Sequence, residues 1–153
     1  MTDIFADVEP MVFKSRINVP YAWWTGETAE RFFLALRDDK KIMGTRCPAC
    51  EKVFVPPRKV CPLCFNENMA WVEVSSEGVL VSFTIVKRQL ASLPLKAPVV
   101  FGLIKLDGAD TSILHYIEHQ DHEGIKIGMR VAAEFNDERS GSIQDIACFK
   151  PVR

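Results

Sequence analysis

The chain has almost no net charge and no long apolar segment. Its 153 residues include 19 basic and 20 acidic side chains, which give a formal net charge of -1. Proteins that attract nucleic acid or anionic membranes through bulk charge are strongly basic, so this balance argues against both partners. No run of about 18 apolar residues occurs, and we therefore expect no transmembrane helix.

Recognisable catalytic motifs are missing as well. The sequence contains no Gly-x-Ser-x-Gly, no phosphate-binding loop and no isolated pair of acids in a known catalytic frame. We therefore expect no catalysis by this chain alone and assign no catalytic residue. The N-terminus also lacks the features of a secretory signal, which predicts a cytoplasmic protein with reduced cysteines.

Four of the five cysteines form two closely spaced pairs. The first pair is Cys47-Pro-Ala-Cys50, and the second, after ten intervening residues, is Cys61-Pro-Leu-Cys64. Each Cys-x-x-Cys can form a tight knuckle, and two knuckles on a hairpin bring four thiolates into the tetrahedron of a structural zinc site. Such a closed site leaves no coordination position for a substrate, so the metal would fold the chain and take no part in chemistry.

Two other uses of these cysteines, and a second metal, are weighed against zinc. Redox dithiols or disulfides are the other uses, and the missing secretory signal argues against disulfides. Iron in the same four-thiolate cage is the main alternative metal, because soft sulfur ligands accept both ions. The fifth cysteine, Cys148, lies in an apolar run and is expected to be a small buried side chain.

The N-terminal part of the chain contains an arm, three aromatic side chains and one helix. We assign residues 1–26 to an arm without a clear period, and Tyr21, Trp23 and Trp24 lie near its end. These aromatics either pack on the following helix or anchor the chain to a partner protein, since Trp and Tyr dominate interface hot spots. Apolar residues recur with helical spacing from Glu27 to Lys40, which predicts one amphipathic helix.

Basic residues are concentrated in two places. Between residues 40 and 59, one acid, Glu51, stands among six basic residues: Lys40, Lys41, Arg46, Lys52, Arg58 and Lys59. A second group, Lys87 and Arg88, follows a long predicted strand. Such clusters bind the phosphates of nucleic acid or of a nucleotide cofactor such as coenzyme A, the alternative being solvated hairpin edges and an exposed turn. The candidate cofactor-binding residues are Arg58, Lys59, Lys87 and Arg88.

From residue 71 onward the pattern is that of β-strands. The predicted strands cover residues 71–74, 78–87, 98–107, 111–117, 127–135 and 143–149. This set predicts a five-stranded Greek-key barrel of the OB type, so the fold class is mainly β, with an N-terminal helix and a four-Cys zinc ribbon. We divide the chain into residues 1–26 (arm), 27–70 (helix and ribbon) and 71–153 (OB domain). The three histidines, His115, His119 and His122, are interpreted as solvated and not as a second metal site.

Several of these motifs together resemble the DUF35 family, whose members combine a rubredoxin-like zinc ribbon with an acyl-CoA-associated OB domain. The matching segments are Arg46-Cys-Pro-Ala-Cys50, Val55-Pro-Pro-Arg58, Cys61-Pro-Leu-Cys64, Trp71-Val-Glu-Val74, Gly78, Ser82-Phe-Thr-Ile-Val86 and Ile127-Gly-Met-Arg-Val131. One departure is Glu51, where many members have glycine after the first knuckle. The segment Tyr21-Ala-Trp-Trp-Thr-Gly26 is also similar to small subunits of two-component thiolases in anaerobic aromatic degradation, such as benzoylsuccinyl-CoA thiolase.

The resemblance implies a noncatalytic accessory role. Members of the family form complexes with thiolases or thiolase-like enzymes and help to hold the acyl-CoA or to shape its channel. The partner supplies the catalytic cysteine and histidines. It implies structural zinc, a shared coenzyme A or acyl-CoA, and a thiolase-like catalytic subunit in a hetero-oligomer.

Two other classes of function stay open. One is a zinc-ribbon/OB module that binds single-stranded nucleic acid by stacking bases on Phe83, Phe101 and Tyr116, although core packing is the simpler explanation of these side chains. The other is a stand-alone acyl-CoA binder or hydrolase-like enzyme.

Overall fold

The computed structural model describes residues 7, 9, 11–12, 19–89, 95–118 and 124–152. Regular structure within them comprises α1 (Glu27–Asp39), β1 (Ile42–Arg46), β2 (Val53–Phe54), β3 (Ala70–Val74), β4 (Glu77–Val86), β5 (Val99–Leu106), β6 (Ser112–Ile117), β7 (Arg130–Phe135), a 3-10 helix (Ile143–Asp145) and β8 (Ile146–Pro151). The expected mainly β fold, with an N-terminal helix, a ribbon and a barrel, is confirmed. No helix in the described residues is both long and apolar enough to cross a membrane.

Helix α1 matches the predicted helix to within one residue at its C-terminal end. Its fully buried side chains are Phe32 and Leu36, two members of the predicted apolar stripe. The helix ends because Lys40 adopts a left-handed conformation (φ 54°), and the Lys41 N–H donates to Ala35 O at 3.1 Å. The helix packs on β1 and on the 3-10 helix, so it contacts both the ribbon and the barrel.

A three-stranded antiparallel sheet in the order β2-β1-β3 forms the ribbon. Strand β1 pairs with β2, and Arg46 lies opposite Val53. Strand β3, which includes the predicted strand at residues 71–74, pairs along its whole length with β1. The sequence boundary at residue 71 therefore falls inside the ribbon sheet, and the barrel sheet begins at Glu77, because the backbone of β3 finds its hydrogen-bond partner in β1.

Strands β4 to β8 close a barrel in the order β4-β5-β6-β8-β7, and β7 returns to pair with β4. The pairings are antiparallel except for the one between β6 and β8. This is the five-stranded arrangement of an OB fold. Gly102 on β5 is required for close packing, because a Cβ there would lie 2.6 Å from Ile117 and 2.7 Å from Leu80.

The helix, the ribbon and the barrel share one continuous hydrophobic core. Its members include Phe32 and Leu36 of α1, Val74 of β3, Leu80 of β4 and Phe149 of β8. At the edge of this core, Lys52 Nζ of the ribbon lies 2.9 Å from Asp110 Oδ1 in the turn between β5 and β6. The ribbon therefore sits on the end of the barrel where β5 turns into β6.

Candidate functional site

The two cysteine pairs fold into knuckles that close with the same backbone hydrogen bond. In the first, the Glu51 N–H donates to Cys47 O at 2.8 Å, and in the second, the Phe65 N–H donates to Cys61 O at 2.9 Å. Glu51 and Phe65 both have a φ of 59°, a left-handed conformation that glycine adopts at the lowest cost. Glu51 therefore forms the kind of turn that glycine usually occupies.

The knuckles bring the four sulfur atoms together. All four lie within 4.8 Å of one another; Cys47 Sγ is 3.5 Å from Cys64 Sγ, and Cys61 Sγ is 4.0 Å from Cys50 Sγ. Zn–S bonds of about 2.3 Å in a tetrahedron place the sulfurs about 3.8 Å apart, so the geometry fits a four-thiolate metal site. The chain thus has a zinc-ribbon domain whose four cysteines converge at one point.

Hydrogen bonds inside the site act differently on its thiols. Burial disfavours ionisation of Cys61, but the backbone N–H groups of Cys64 and Leu63 donate to its sulfur and lower its pKa to about 7. The pKa of Cys50 is raised to about 12, because hydrogen bonding to Cys64 and burial favour its neutral thiol. A metal must displace protons on binding, so we expect its affinity to fall in acid.

The side of the metal site that faces the protein interior is shielded from solvent. Cys47 and Cys61 are fully buried and pack with Phe54, and Met69 lies against the same cluster. With four thiolates bound, a zinc ion has no open coordination position. It would hold the two knuckles together and supply no chemistry.

Half of the six basic residues between positions 40 and 59 are engaged with acids. Three of them form ion pairs with acids, namely Lys41–Glu73, Arg46–Glu51 and Lys52–Asp110. Arg58 and Lys59 are exposed and have no ion-pair partner among the described residues. They line a cavity of about 460 Å³ between the ribbon and the start of α1, together with Trp24 and Glu27.

Lys87 and Arg88 lie at the opposite end of the barrel. They directly follow β4, whose last residue, Val86, pairs with Val99 at the start of β5. Gln89 accepts a hydrogen bond from the Ala97 N–H at 2.8 Å, so this segment runs beside the chain that leads into β5. The prediction that these two cations end the long strand is confirmed.

A largely apolar cavity of about 370 Å³, here called the end cavity, opens at the same end of the barrel. Its walls come from three strands and include Val99, Val100, Tyr116, Ile117, Ala147 and Cys148. Lys96 and Glu118 are its charged lining residues. Sequence reasoning missed both the end cavity and Lys96, because the cavity forms between strands that are distant in sequence and Lys96 lies in an irregular connection.

Cys148 is buried in the end cavity's wall, as the sequence predicted for this residue. Its thiol donates to Glu118 Oε2 at 3.3 Å. Burial and this carboxylate raise the pKa of Cys148 to about 12, so the thiol is neutral at physiological pH. A neutral, hydrogen-bonded thiol is a poor nucleophile.

The fold does not bring the two predicted cation pairs together. Arg58 and Lys59 belong to the ribbon, which covers one end of the barrel, whereas Lys87 and Arg88 follow the far end of β4. Strand β4 has ten residues, and a strand rises about 3.4 Å per residue, so its ends are about 30 Å apart. One phosphate group cannot reach both pairs.

The aromatic side chains of the N-terminal arm are uncovered. Tyr21 is 80% exposed, Trp23 71% and Trp24 73%. Of the two roles considered from the sequence, packing on α1 therefore accounts for little of their surface. These three residues, here called the aromatic arm, each leave most of their surface uncovered by the described part of the chain.

Two interpretations of side chains in the barrel are corrected. His115 is 5% exposed and not solvated, because β6 alternates and Ile113, His115 and Ile117 all face inward. Its Nε2 lies 3.2 Å from Ile143 O, and burial lowers its pKa. His119 and His122 lie outside the described residues.

Phe101 and Tyr116 are not core residues. They occupy opposite positions on β5 and β6, on the face away from the buried side chains, and their ring centroids are 4.8 Å apart. Phe83, the third aromatic considered for stacking, packs against the core as expected.

Two family models match consecutive parts of the chain. The model described as the ChsH2 rubredoxin-like zinc ribbon domain matches residues 35–70, and the model described as the ChsH2 C-terminal OB-fold domain matches residues 71–136. The chain belongs to the DUF35 family. Curated relatives include the DUF35 domain-containing scaffold protein of Methanocaldococcus jannaschii, 28% identical over 116 residues, which cover 72% of this chain and 82% of the relative. The scaffold protein of Pyrococcus furiosus is 26% identical over 101 residues, with 66% and 73% covered.

Solved structures of the family share the fold. A DUF35-family protein of unknown function from Sulfolobus solfataricus has a TM-score of 0.63 and 27% identity, with 84% of this chain and 87% of that chain covered. A chain of the Ltp2-ChsH2(DUF35) aldolase has a TM-score of 0.61 and 21% identity, with 80% and 93% covered. The likeness to the aldolase chain is one of fold.

Proposed function

We propose that this chain is a noncatalytic accessory subunit of a thiolase or thiolase-like acyl-CoA enzyme and is needed for the activity of the complex. The observation that carries the proposal is the exposed aromatic arm, in a member of a family whose curated relatives are named scaffold proteins. Three large aromatic side chains lose unfavourable contact with water when a partner protein covers them. The aromatic arm is therefore assigned to the contact with the catalytic subunit.

The chemistry of the candidate residues supports a scaffold better than a catalytic role. A metal held by the four cysteines has no open position, and the Cys148 thiol is neutral and engaged with Glu118. His115, the one histidine within residues 19–89, 95–118 and 124–152, is buried against backbone. The chemistry is therefore assigned to the partner, which would supply its own cysteine and histidines. The name of the Ltp2-ChsH2(DUF35) aldolase, which joins a DUF35 chain to an enzyme, supports a partner of this kind.

The proposed ligand is coenzyme A or acyl-CoA, shared with the partner. Lys87 and Arg88 are exposed cations on the segment that Gln89 joins to Ala97, between two residues that line the end cavity. Charge-assisted hydrogen bonds to phosphate are the strong ones available at such a surface. Arg58 and Lys59 line the cavity between the ribbon and α1. A second contact there with the cofactor or the partner stays a prediction. The finer proposal, a two-component thiolase such as benzoylsuccinyl-CoA thiolase, rests on the sequence of the aromatic arm.

Recovery of the tagged chain from its own host tests the proposal. We expect mass spectrometry to identify a thiolase-like protein in stoichiometric amount, and we expect that enzyme to lose activity when this chain is withheld and to regain it on addition. Recovery of the chain alone, or full activity of the enzyme without it, would contradict the proposal. Turnover of acyl-CoA by the isolated chain would also contradict it.

A second candidate function is favoured by the outward-facing pair Phe101–Tyr116. Strands β5 and β6 are the second and third strands of the barrel, and this face binds oligonucleotides in many OB folds. The near-neutral net charge weighs against it. Salt-sensitive binding of a single-stranded oligonucleotide that is lost in Phe101→Ala would support this candidate, and the absence of binding would remove it.

A further inference from the structure

We propose that the second cysteine knuckle and the neighbouring cationic cavity bind an acidic segment of a partner protein that also carries apolar side chains. The residues of this surface, here called the docking surface, are exposed and come from the end of the arm and from the ribbon: Trp24, Arg58, Lys59, Val60, Leu63 and Phe65. The inference rests on the accessory role of the proposed function and deepens it, because it states the chemistry of the partner's contact segment.

The two knuckles have the same backbone and different outer side chains. In the first knuckle the residues on either side of the second cysteine are Ala49 and Glu51, and both are exposed. In the second knuckle they are Leu63 and Phe65, which are 64% and 77% exposed. Glu51 and Phe65 share a φ of 59° and the same closing hydrogen bond. The first knuckle therefore shows that the metal site does not require large apolar side chains at these positions.

Phe65 is in an unfavourable position for a side chain that stays in water. Glycine adopts a left-handed φ at the lowest cost, whereas a residue with a Cβ is disfavoured there. Because the ring is largely exposed, burial within the chain does not offset that cost. Residues in sparsely populated backbone conformations are concentrated at functional sites, and a partner that covers the ring would supply the missing burial.

The apolar knuckle adjoins the cavity between the ribbon and α1. Val60 directly follows Lys59, which lines that cavity. The Cys61 N–H donates to Asn66 O, and the Phe65 N–H donates to Cys61 O, each at 2.9 Å, so the end of the knuckle returns to its start. Val60 and Phe65 therefore lie close to the rim of the cavity.

The charge of this cavity identifies the occupant as acidic. Arg58 and Lys59 form no ion pair with the described part of the chain, and Glu27 is the acid in the lining, so the lining carries two positive charges and one negative charge. The Arg58 backbone is fixed, because its N–H donates to Thr45 Oγ1 at 2.8 Å and its carbonyl accepts from the same hydroxyl at 3.0 Å. A guanidinium binds a carboxylate through two parallel hydrogen bonds, so an aspartate or glutamate of the partner complements this site.

The apolar part of the docking surface is large enough for a specific interface. Trp24 is 73% exposed and lines the same cavity. An aromatic side chain buries about 150–250 Å², so Trp24, Val60, Leu63 and Phe65 together leave roughly 500 Å² uncovered. One side of a standard protein–protein interface buries about 800 Å². A partner seated here would also cover Cys64, the exposed member of the four-cysteine cluster.

Photo-crosslinking from position 65 tests what occupies the docking surface. The full-length chain with Phe65→p-benzoylphenylalanine is expressed in its own host and irradiated, and the crosslinked peptide is sequenced by mass spectrometry. We expect a segment of another protein with an aspartate or glutamate within about five residues of the crosslink, because five extended residues span about 17 Å. Leu114→p-benzoylphenylalanine, on the outer face of the barrel, should not reach that segment. Absence of a crosslink, a crosslink to a second copy of this chain, or a segment without an acid would overturn the inference.

Variants of the knuckle measure the contribution of its apolar side chains in the purified complex with that protein. Leu63→Ala/Phe65→Glu gives the second knuckle the side chains of the first, so we expect it to keep one metal ion per chain while the affinity falls at least tenfold. The matched control, Leu114→Glu, changes an apolar side chain that is 60% exposed and should alter the affinity less than twofold. If the double variant loses its metal, Phe65→Ala replaces it in the comparison. Equal losses in the knuckle and control variants, or an unchanged affinity in a metal-loaded knuckle variant, would overturn the inference.

Charge reversal tests the acidic part of the contact. We expect Arg58→Glu/Lys59→Glu to lower the affinity for the partner at least fivefold, because like charges then face each other. Lys87→Glu/Arg88→Glu makes the same change at the other end of the barrel and should leave the affinity within twofold when coenzyme A is absent. Replacement of the acid in the crosslinked segment by lysine should restore binding to the reversed variant and weaken binding to the wild type. Failure of this rescue would overturn the assignment of a carboxylate to the cavity.

The outcomes separate this inference from the proposed function. If a thiolase-like enzyme binds this chain and depends on it for activity, but neither the knuckle variant nor the charge reversal weakens the complex, only the docking surface is wrong. If the crosslinked segment is acidic and the rescue succeeds, but the partner is not a thiolase-like enzyme, the docking surface stands and the proposed function fails.

Discussion

The hydroxyl group of Thr111 bonds to both backbone polar groups of Val55. The Val55 N–H donates to Thr111 Oγ1 at 2.8 Å, and the same hydroxyl donates to Val55 O at 2.9 Å. Val55 is a buried residue of the ribbon, and Thr111 immediately precedes β6 of the barrel. This one side chain of the barrel therefore supplies the hydrogen-bond partners of the backbone N–H and C=O of Val55 at the end of β2.

Replacement of this hydroxyl should loosen the junction. Thr111→Val keeps the shape of the side chain and leaves the buried N–H and C=O of Val55 without a partner, so we expect a loss of about 1–3 kcal/mol in the free energy of unfolding. Urea unfolding of the zinc-loaded protein measures it. Thr84→Val, the same change at an exposed position of β4, should cost less than half as much; equal losses would contradict the assignment.

Loss of one metal ligand should abolish the metal site and destabilise the fold. Cys61→Ser removes a fully buried sulfur from the four-thiolate cluster, and we expect the zinc content to fall from one ion per chain to none, with a lower melting temperature. Elemental analysis also distinguishes zinc from iron. The matched control is Cys148→Ser, which lies outside the cluster and should keep one ion per chain; loss of metal there would be unexpected.

The stability of the barrel should fall in mild acid because of His115. Burial lowers its pKa below the ordinary value of 6.5. Above pH 6.5 the ring is neutral in both states, whereas below it the unfolded chain takes up a proton that the folded chain does not, so the unfolded state gains. We expect the loss to begin near pH 6.5 and to level off once the folded protein also protonates.

Comparison of His115→Phe with the wild type isolates this effect. The variant loses the hydrogen bond to Ile143 O and should be somewhat less stable at pH 7.5, but its free energy of unfolding should change less between pH 7.5 and pH 5.5. Metal content must be measured at each pH, because acid also weakens thiolate binding. An equal pH dependence in the two proteins would show that His115 is not responsible.

The aromatic arm should be a hot spot of the complex. Trp23 and Trp24 are largely exposed, so Trp23→Ala/Trp24→Ala should leave the melting temperature of the isolated chain unchanged. Hot-spot residues cost about 2 kcal/mol or more on truncation, which weakens the affinity for the catalytic subunit about 30-fold. Leu114→Ala truncates an exposed apolar side chain on the barrel and serves as the control. If it weakens the complex and the tryptophan variant does not, the barrel face and not the arm makes the contact.

The two cation pairs should contribute unequally to binding of coenzyme A. Lys87→Gln/Arg88→Gln removes two charges beside the end cavity, and we expect at least a fivefold loss of affinity and a weaker dependence on salt. Arg58→Gln/Lys59→Gln removes the same charge at the cavity between the ribbon and α1, and we expect it to change the affinity less. The reverse order would place the phosphates at the ribbon.

Local signals account for what could be predicted from the sequence. The helix at residues 27–39 and the two knuckles depend on apolar period, turn conformation and cysteine spacing, all of which act within a few residues. The barrel strands were recognised for the same reason. Even Glu51, the departure from the family pattern, adopts the turn that the spacing of the cysteines requires.

Features that depend on which strands become neighbours were not predictable. Residues Trp71 to Val74 show the same alternation whether β3 pairs with the ribbon or with the barrel. The sequence therefore does not say to which sheet β3 belongs, and the structure shows that it pairs with β1 of the ribbon. The separation of Arg58 from Arg88 and the presence of the end cavity have the same origin. The inward position of His115 could have been predicted from its alternation with Ile113 and Ile117. Because histidine is polar, this pattern was not recognised as a buried face.

The pairing of β3 with β1 has a consequence for cutting the chain into pieces. A fragment that begins at Trp71 would carry β3 without the strand that satisfies its backbone, and Val74 would lose part of its buried surroundings. An unpaired apolar edge of this kind joins readily to the edge of another copy. The natural place to separate ribbon from barrel is the short link between Val74 and Glu77. Because the two parts share one core, each isolated piece would expose the apolar surface that the other part covers.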